Sequence, residues 1–281
     1  MANYVRCILI TGSTDGIGRH AALELAKNSE NFVIIHGRNQ NRCDSALSYI
    51  KEKAGIRGEN LSSVLGDFGD LTEVNSMADD LEKRFPRLNV VICNAGVLLP
   101  KRQISKQGLE MTFQVNHLSH FLLINRLLDS LKNGRSPARI AVVSSLCHSW
   151  CDQLDWNDLQ AARNYEKYQQ YSASKLANHL FAFALARRLE GSEVRCNVLE
   201  PGVIQTKLLA AGGYSGAPVE RGAVPLIQLA QAPVYEAVSG KYFDSAVKIV
   251  KPAKQSLDME QQEKLWATSL QLCQHYGFLK E

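Results

Sequence analysis

No stretch of this chain approaches the roughly 18 consecutive apolar residues that a membrane-spanning helix needs. The first ten residues hold only a brief apolar run, Cys7 to Ile10, far shorter than the core of a secretory leader. No Cys-x-x-Cys pair occurs, and the seven cysteines are odd in number and scattered, so neither a disulfide framework nor a zinc ribbon is implied. Aromatics make up 7% of residues and interleave with no basic tract, and the net charge is only +4, so nucleic acid is not an expected partner. Internal repeats, low-complexity segments and linkers are missing as well. What remains is 281 residues, 45% of them hydrophobic, enough to bury a large core without staples. The expectation is a cytoplasmic protein in a reducing compartment, with no transmembrane segment.

Apolar strands alternate with amphipathic helices along the whole chain. Strands are expected at Val5–Ile10, Phe32–His36, Leu61–Leu65, Asn89–Cys93, Arg139–Val143, Val194–Leu199 and Lys241–Phe243. Helices are expected at Arg19–Lys27, Asn41–Lys53, Leu71–Phe85, Met111–Leu131, Tyr171–Glu190 and Asp258–Gln274. Such alternation gives an α/β fold: a doubly wound parallel sheet (Rossmann fold) in a single domain spanning 1–281. The segment at about 203–235, with Gly212, Gly213, Gly216 and Pro218, reads as a mobile substrate flap. Ligands of such sheets bind beyond the carboxyl ends of the strands.

The first strand runs into Thr11-Gly12-Ser13-Thr14-Asp15-Gly16-Ile17-Gly18 and then a helix, the unit that sets a phosphate at a helix N-terminus. Gly12 permits the tight turn, Gly16 lets backbone approach a pyrophosphate, and Gly18 lets helix pack on strand. After the second strand comes Gly37-Arg38-Asn39, where an acidic residue would favour NAD. The Arg38 guanidinium, with Arg19 nearby, suits a 2′-phosphate instead and argues for NADP. Asp67, followed by Phe68, ends the third strand, and Asn94-Ala95-Gly96 ends the fourth. Asn116 sits in an apolar helix, where an unpaired amide would cost a few kcal/mol.

Tyr171 and Lys175 lie four apart and share a helix face. An ammonium about 4 Å from a phenol, at an effective dielectric of about 20, is worth roughly 4 kcal/mol, at most about 3 pK units towards phenolate. The pair suits acid/base work on a carbonyl or alcohol. Other groupings carry less. Ser145, His148 and Asp152 lack a Gly-x-Ser-x-Gly elbow, and triads assemble across a fold. His117 and His120 have no third ligand, so no metal is expected, and core or cofactor-side hydrogen bonds explain them as well. Cys147 and Cys151 read as inert thiols. Tyr165, Tyr168, Trp150 and Trp156 either line an apolar pocket or pack the flap.

Thr11-Gly12-x-x-x-Gly16-x-Gly18, Asn94-Ala95-Gly96, Asn116, Ser145, Tyr171-x-x-x-Lys175 and Pro201-Gly202, in that order, resemble the short-chain dehydrogenase/reductase family along essentially the whole chain. The runs 114–123, 174–178 and 239–243 resemble its retinol-dehydrogenase-like branch. The resemblance implies that Tyr171 gives the carbonyl oxygen its proton, Lys175 tunes it and holds the nicotinamide ribose, Ser145 hydrogen-bonds the substrate oxygen, and Asn116 anchors a relay water. It also implies coenzyme contacts along residues 12–18, 38–39, 67–68, 94–96, Pro201, Gly202, Val203 and Thr206. The implied substrate is a bulky apolar carbonyl or alcohol, retinoid-, steroid- or xenobiotic-like, and helix-to-helix homodimers or homotetramers are implied too. Many members of that branch have an N-terminal membrane anchor, whereas this chain starts at its first strand. Glu200 stands where His or Asn is commoner, either biasing substrate choice or turned away. Two functions follow: an NADP(H)-dependent carbonyl reductase or alcohol dehydrogenase, or a non-catalytic NADP(H)-binding sensor or scaffold.

Overall fold

A computed structural model describes residues 4–133, 137–211 and 213–279; Gly212 of the expected flap lies outside them. Strands β1 (Arg6–Ile10), β2 (Asn31–Gly37), β3 (Leu61–Leu65), β4 (Val90–Cys93), β5 (Ala138–Val143), β6 (Val194–Leu199), β7 (Tyr242–Phe243) and β8 (Ile249–Val250) form one sheet in the order β3-β2-β1-β4-β5-β6-β7-β8. All neighbouring pairs are parallel except β7 with β8. The order reverses between β1 and β4, which opens a crevice at their carboxyl ends. Strand β8 breaks the expected all-parallel pattern. Asp244 accepts hydrogen bonds from the amides of Ala246 and Lys248, and this turn folds the chain back on β7.

One face of the sheet is covered by α1 (Gly16–Ala26), α2 (Gln40–Ala54) and α8 (Val219–Gln231) around Ile8, Ile10, Val33 and Ile35. The other carries α3 (Leu71–Arg84), α5 (Ser119–Lys132) and α6 (Lys167–Arg188) around Leu9, Ile34, Val91 and Val142. Alternate residues of each strand thus enter opposite cores, so the central strands carry continuous apolar runs such as Cys7–Ile10, Phe32–Ile35 and Ile140–Val143. Helix α9 (Met259–His275) lies across α5 and α6: Trp266 meets Phe121 edge-on at 5.0 Å and Phe181 at 6.1 Å, and His117 and Ser269 are hydrogen-bonded at 2.8 Å.

Three segments differ from expectation. Helix α6 begins at Lys167, not Tyr171, because the Glu166 carboxylate accepts from the amide of Gln169 and caps the helix early. The single helix expected over Met111–Leu131 is α4 (Met111–Phe113), a π turn (Gln114–Leu118) and α5. The stretch expected as a flap is partly in the core, with Ile204 buried at its start. Beyond it, α7 (Lys207–Ala211) is short, whereas Ala223, Leu226, Leu229 and Ala230 of α8 are buried against α1, each leucine worth roughly 2 kcal/mol of burial, so α8 is a packed layer of the fold.

Candidate active site

Glycine shapes the crevice where side chains would fill it. A Cβ on Gly12 would stand 2.8 Å from the Ala95 Cα, and one on Gly18 would stand 2.6 Å from the Asn94 amide. Gly12 and Gly16 take φ of +63° and +55°, the left-handed region that a side chain disfavours. Asp15 caps α1 by accepting from the Gly16 amide at 2.8 Å. The first-turn amides of α1 have no acceptor within the helix, an arrangement that suits an anion. The buried Thr11 hydroxyl ties this turn to β4, accepting from the amides of Asn94 at 2.8 Å and Ala95 at 3.0 Å. Thr11 belongs to the quoted motif but was not among the expected coenzyme residues; its pairing is to protein.

The carboxyl ends of β4 and β5 meet α6 and the π turn. Asn116 is fully buried, and its side chain is shared among the Val97 amide at 2.8 Å, the Val97 carbonyl at 3.0 Å and the Ser174 hydroxyl at 2.9 Å. Its amide therefore ties the loop after Gly96 to α6. The π turn is where this residue enters the helix, as such turns do at functional sites. The Asn116 carbonyl accepts from Nδ1 of His120 at 3.1 Å, which leaves Nε2 of that ring to accept from the Thr11 hydroxyl at 2.8 Å. His120 is thus a neutral strut between the π turn and the glycine turn. Burial pushes its pKa down to about 3.

Ser144 and Ser145 part ways. The Ser144 hydroxyl is buried and donates to the Lys175 carbonyl at 2.9 Å, while Ser145 is half-buried, accepts from the Cys147 amide at 3.2 Å and is a polar neighbour of Tyr171. The Lys175 ammonium lies 5.4 Å from the centre of the Tyr171 ring, donates to the Val143 carbonyl at 3.3 Å, and comes within 3.7 Å of where a Gly96 Cβ would sit. Burial lowers Lys175 to about 8. Burial also raises Tyr171 above the ordinary phenol value; the Cys147 thiol raises it further, and the Ser145 hydroxyl opposes both. The expected pull towards phenolate is therefore reversed in the protein alone, because both members of the pair are desolvated.

The remaining expected residues fall at strand ends, with mixed orientations. Arg38 is exposed and, among the described residues, has no carboxylate partner. Asn39 caps α2 by accepting from the Arg42 amide, so its side chain is committed there. Ser13 is buried and fully paired, donating to the Ile10 carbonyl and accepting from the His36 amide. Asp67 accepts from the Gly69 amide. The Phe68 ring is buried, stacked on His36 at 4.6 Å, so only its backbone can edge the crevice. Glu200 is buried and ties its own loop to the β7–β8 turn, accepting from the amides of Gly202 at 2.8 Å and Ser245 at 3.1 Å. Pro201 and Gly202 are half-buried and Val203 is exposed, while Thr206 stands 3.5 Å from a Gly16 Cβ position. Lys207 pairs with Asp15 at 2.5 Å; that bond holds the carboxyl below its usual range. The segment at Thr206 and Lys207 therefore sits on the glycine turn, and a cleft of about 330 Å³ lies between Asp15, Arg19, Tyr49, Thr206 and Val219. A larger cleft of about 670 Å³ lies at the amino end of β6, among Arg187, Glu190, Arg195 and Met259, away from this chemistry. Among the described residues no group of three His, Cys, Asp or Glu could hold a metal ion, and no helix is long and apolar enough to cross a membrane.

This geometry sits inside a match, over residues 6–213, to the model of the short chain dehydrogenase family. The chain belongs to that family. Human retinol dehydrogenase 13 is 37% identical, covering 95% of this chain and 84% of its own length. Human polyprenol dehydrogenase is 34% identical over the same shares. A crystal structure of an uncharacterised protein from Mycobacterium Paratuberculosis superposes with a TM-score of 0.78 at 28% identity, covering 96% of this chain and 94% of that one. The short-chain dehydrogenase is therefore an oxidoreductase of a family that works with nicotinamide cofactors, and its retinol-dehydrogenase-like character is shared by its relatives. The glycine turn, whose cradle side chains would fill, fits the diphosphate of such a cofactor.

Proposed function

We propose that this chain is an NADP(H)-dependent oxidoreductase that interconverts a bulky apolar carbonyl and its alcohol. The observation that carries the reading is the set at the mouth of β5: buried Tyr171 and Lys175, with the ammonium 5.4 Å from the phenol ring, beside half-buried Ser145. Bound NADP(H) would supply the hydride. Gly12 to Gly18 would hold its diphosphate, Arg38 its 2′-phosphate, and Asn94 to Gly96, with Thr206, would edge the nicotinamide. The chain's own residues manage the proton. Ser145 and Tyr171 hydrogen-bond the substrate oxygen, and Tyr171 donates its proton there during reduction. With Lys175 lowered to about 8, its charge is easily displaced towards neutrality, so an incoming phosphate or a developing phenolate favours the ammonium again. Asn116 acts by holding the Val97 loop and Ser174 in place.

The substrate class rests on two supports. The relatives' names are those of retinol and polyprenol dehydrogenases. The entrance is also apolar: Leu146, Val203 and Tyr214 are about half exposed, and Tyr214 meets Tyr168 edge-on at 6.2 Å. The stretch 203–218 closes over such a substrate. Helix α9 occupies the α5–α6 surface, so a homo-oligomer would form elsewhere than through those helices. The test is loss of NADPH absorbance with a panel of long-chain, isoprenoid and steroid aldehydes and ketones. Turnover of at least one apolar carbonyl is expected, and tight NADPH binding with none across the panel would overturn the enzymatic reading.

A further inference from the structure

His36 is the penultimate residue of β2, a polar side chain after the apolar run Phe32–Ile35, and it is only 2% exposed. Its ring spans the ends of three adjacent strands. Nδ1 accepts from the Gly12 amide at 2.9 Å, so the proton is on Nε2, which donates to the Gly66 carbonyl at 2.8 Å. Its backbone adds two more bonds: the carbonyl accepts from the Ser13 amide at 3.0 Å, and the amide donates to the Ser13 hydroxyl at 2.9 Å. The first two amides of the glycine turn are thus both consumed by one residue. The ring is locked by Phe68, stacked on it at 4.6 Å. The next residue, Gly37, admits no side chain, since a Cβ there would lie 2.5 Å from Thr14 and 2.8 Å from Cys43.

An apolar residue of similar size would fill the same space, yet it would leave the Gly12 amide and the Gly66 carbonyl without these partners. Gly12 has positive φ and is free to swing, so the bond to Nδ1 is what chooses its orientation. On the cofactor reading given above, that orientation aims the later amides of the turn at the diphosphate. We infer that His36 is a positioning residue for NADP(H): its neutral imidazole fixes the glycine turn to the ends of β2 and β3, and so sets coenzyme affinity without touching the reacting atoms.

The experiment compares wild type, His36→Leu and His36→Gln. Glutamine offers an acceptor and a donor at the end of a chain of similar reach, whereas leucine offers neither. NADPH binding is titrated by coenzyme fluorescence, and kcat and KM for coenzyme are measured with a responsive aldehyde. His36→Leu should weaken NADPH roughly 10- to 100-fold with kcat at saturating coenzyme within about threefold, and His36→Gln should recover most of the affinity. Equal weakening in both variants, or none in His36→Leu, would reduce His36 to core packing. Should the leucine variant not fold, ¹⁵N spectra of wild type decide: a protonated Nε2 and a Gly12 amide hydrogen-bonded to the ring are expected, and the other tautomer overturns the proposal. Wild type that binds no NADPH at all would instead remove the cofactor reading, and this inference with it.

Discussion

The two halves of the crevice are built on different principles. At the ends of β4 and β5, chemistry is carried by packed side chains: Asn116 paired with Val97 and Ser174, Ser145 beside Tyr171, Ser144 paired with the Lys175 carbonyl. At the ends of β1, β2 and β3 the crevice is mostly backbone, and the side chain argued to choose the coenzyme, Arg38, is exposed and unpaired among the described residues. The reacting half is a packed set of side chains, several of them tied to fixed partners on the strand ends and on α6. On the proposed reading, the coenzyme half owes its shape to a hidden histidine and its selectivity to an exposed guanidinium. Changes in the first half should therefore damage turnover and folding together, and changes in the second should shift affinity and preference.

Acid is the largest expected perturbation, and it strikes both halves. His36 is held neutral down to about 4, and His117 and His120 down to about 3, in each case by burial. An unfolded histidine takes up its proton near 6.5, so between that value and the folded one the unfolded state binds more protons and stability falls with pH. At pH 5 each histidine withdraws about 2 kcal/mol relative to pH 7. The three together approach roughly 6 kcal/mol, comparable to the whole stability of an ordinary domain. Thermal unfolding between pH 7 and 5 should show a steep fall in Tm. A flat profile would mean that these rings are solvated.

Next in size is Asn116→Leu, which leaves the Val97 amide and carbonyl and the Ser174 hydroxyl without their amide partner. A loss of about 2–4 kcal/mol in chemical denaturation is expected, with turnover falling as well. A variant of full stability and activity would show that the π turn holds itself. Smaller still, Arg38→Asp should shift coenzyme preference from NADP towards NAD by about tenfold or more, some 1.4 kcal/mol, with Tm unchanged. An unaltered ratio of kcat/KM for the two coenzymes would remove Arg38 from the selection. The same substitution separates the halves, because kcat at saturating coenzyme should hardly move.

Legibility in the sequence followed the same divide. Tyr171 and Lys175 could be paired by spacing alone, because a helix puts residues four apart on one face. The glycine turn could be read because a strand precedes it and a helix follows. The parallel sheet showed in the apolar runs of its strands. The roles of His36 and His120 were not readable, since their partners are the Gly12 amide 24 residues away and the Thr11 hydroxyl 109 residues away. The π turn has no periodic signature of its own, and Asn116 looked like a lone polar residue in a helix. The start of α6 was misplaced because its cap is a glutamate, a side chain seldom used there. The direction of the Tyr171 shift was missed for a different reason: spacing reveals a nearby charge but not the burial that opposes it.

The central claim is that Tyr171, set by Ser145 and Lys175, delivers the proton in a coenzyme-dependent carbonyl reduction. Wild type and Tyr171→Phe should be compared at saturating NADPH with the best apolar aldehyde of the panel, with coenzyme affinity measured in parallel. The account predicts coenzyme binding within a few-fold in both proteins and turnover about 10²- to 10⁴-fold slower in the phenylalanine variant. Equal turnover in the two proteins would contradict it.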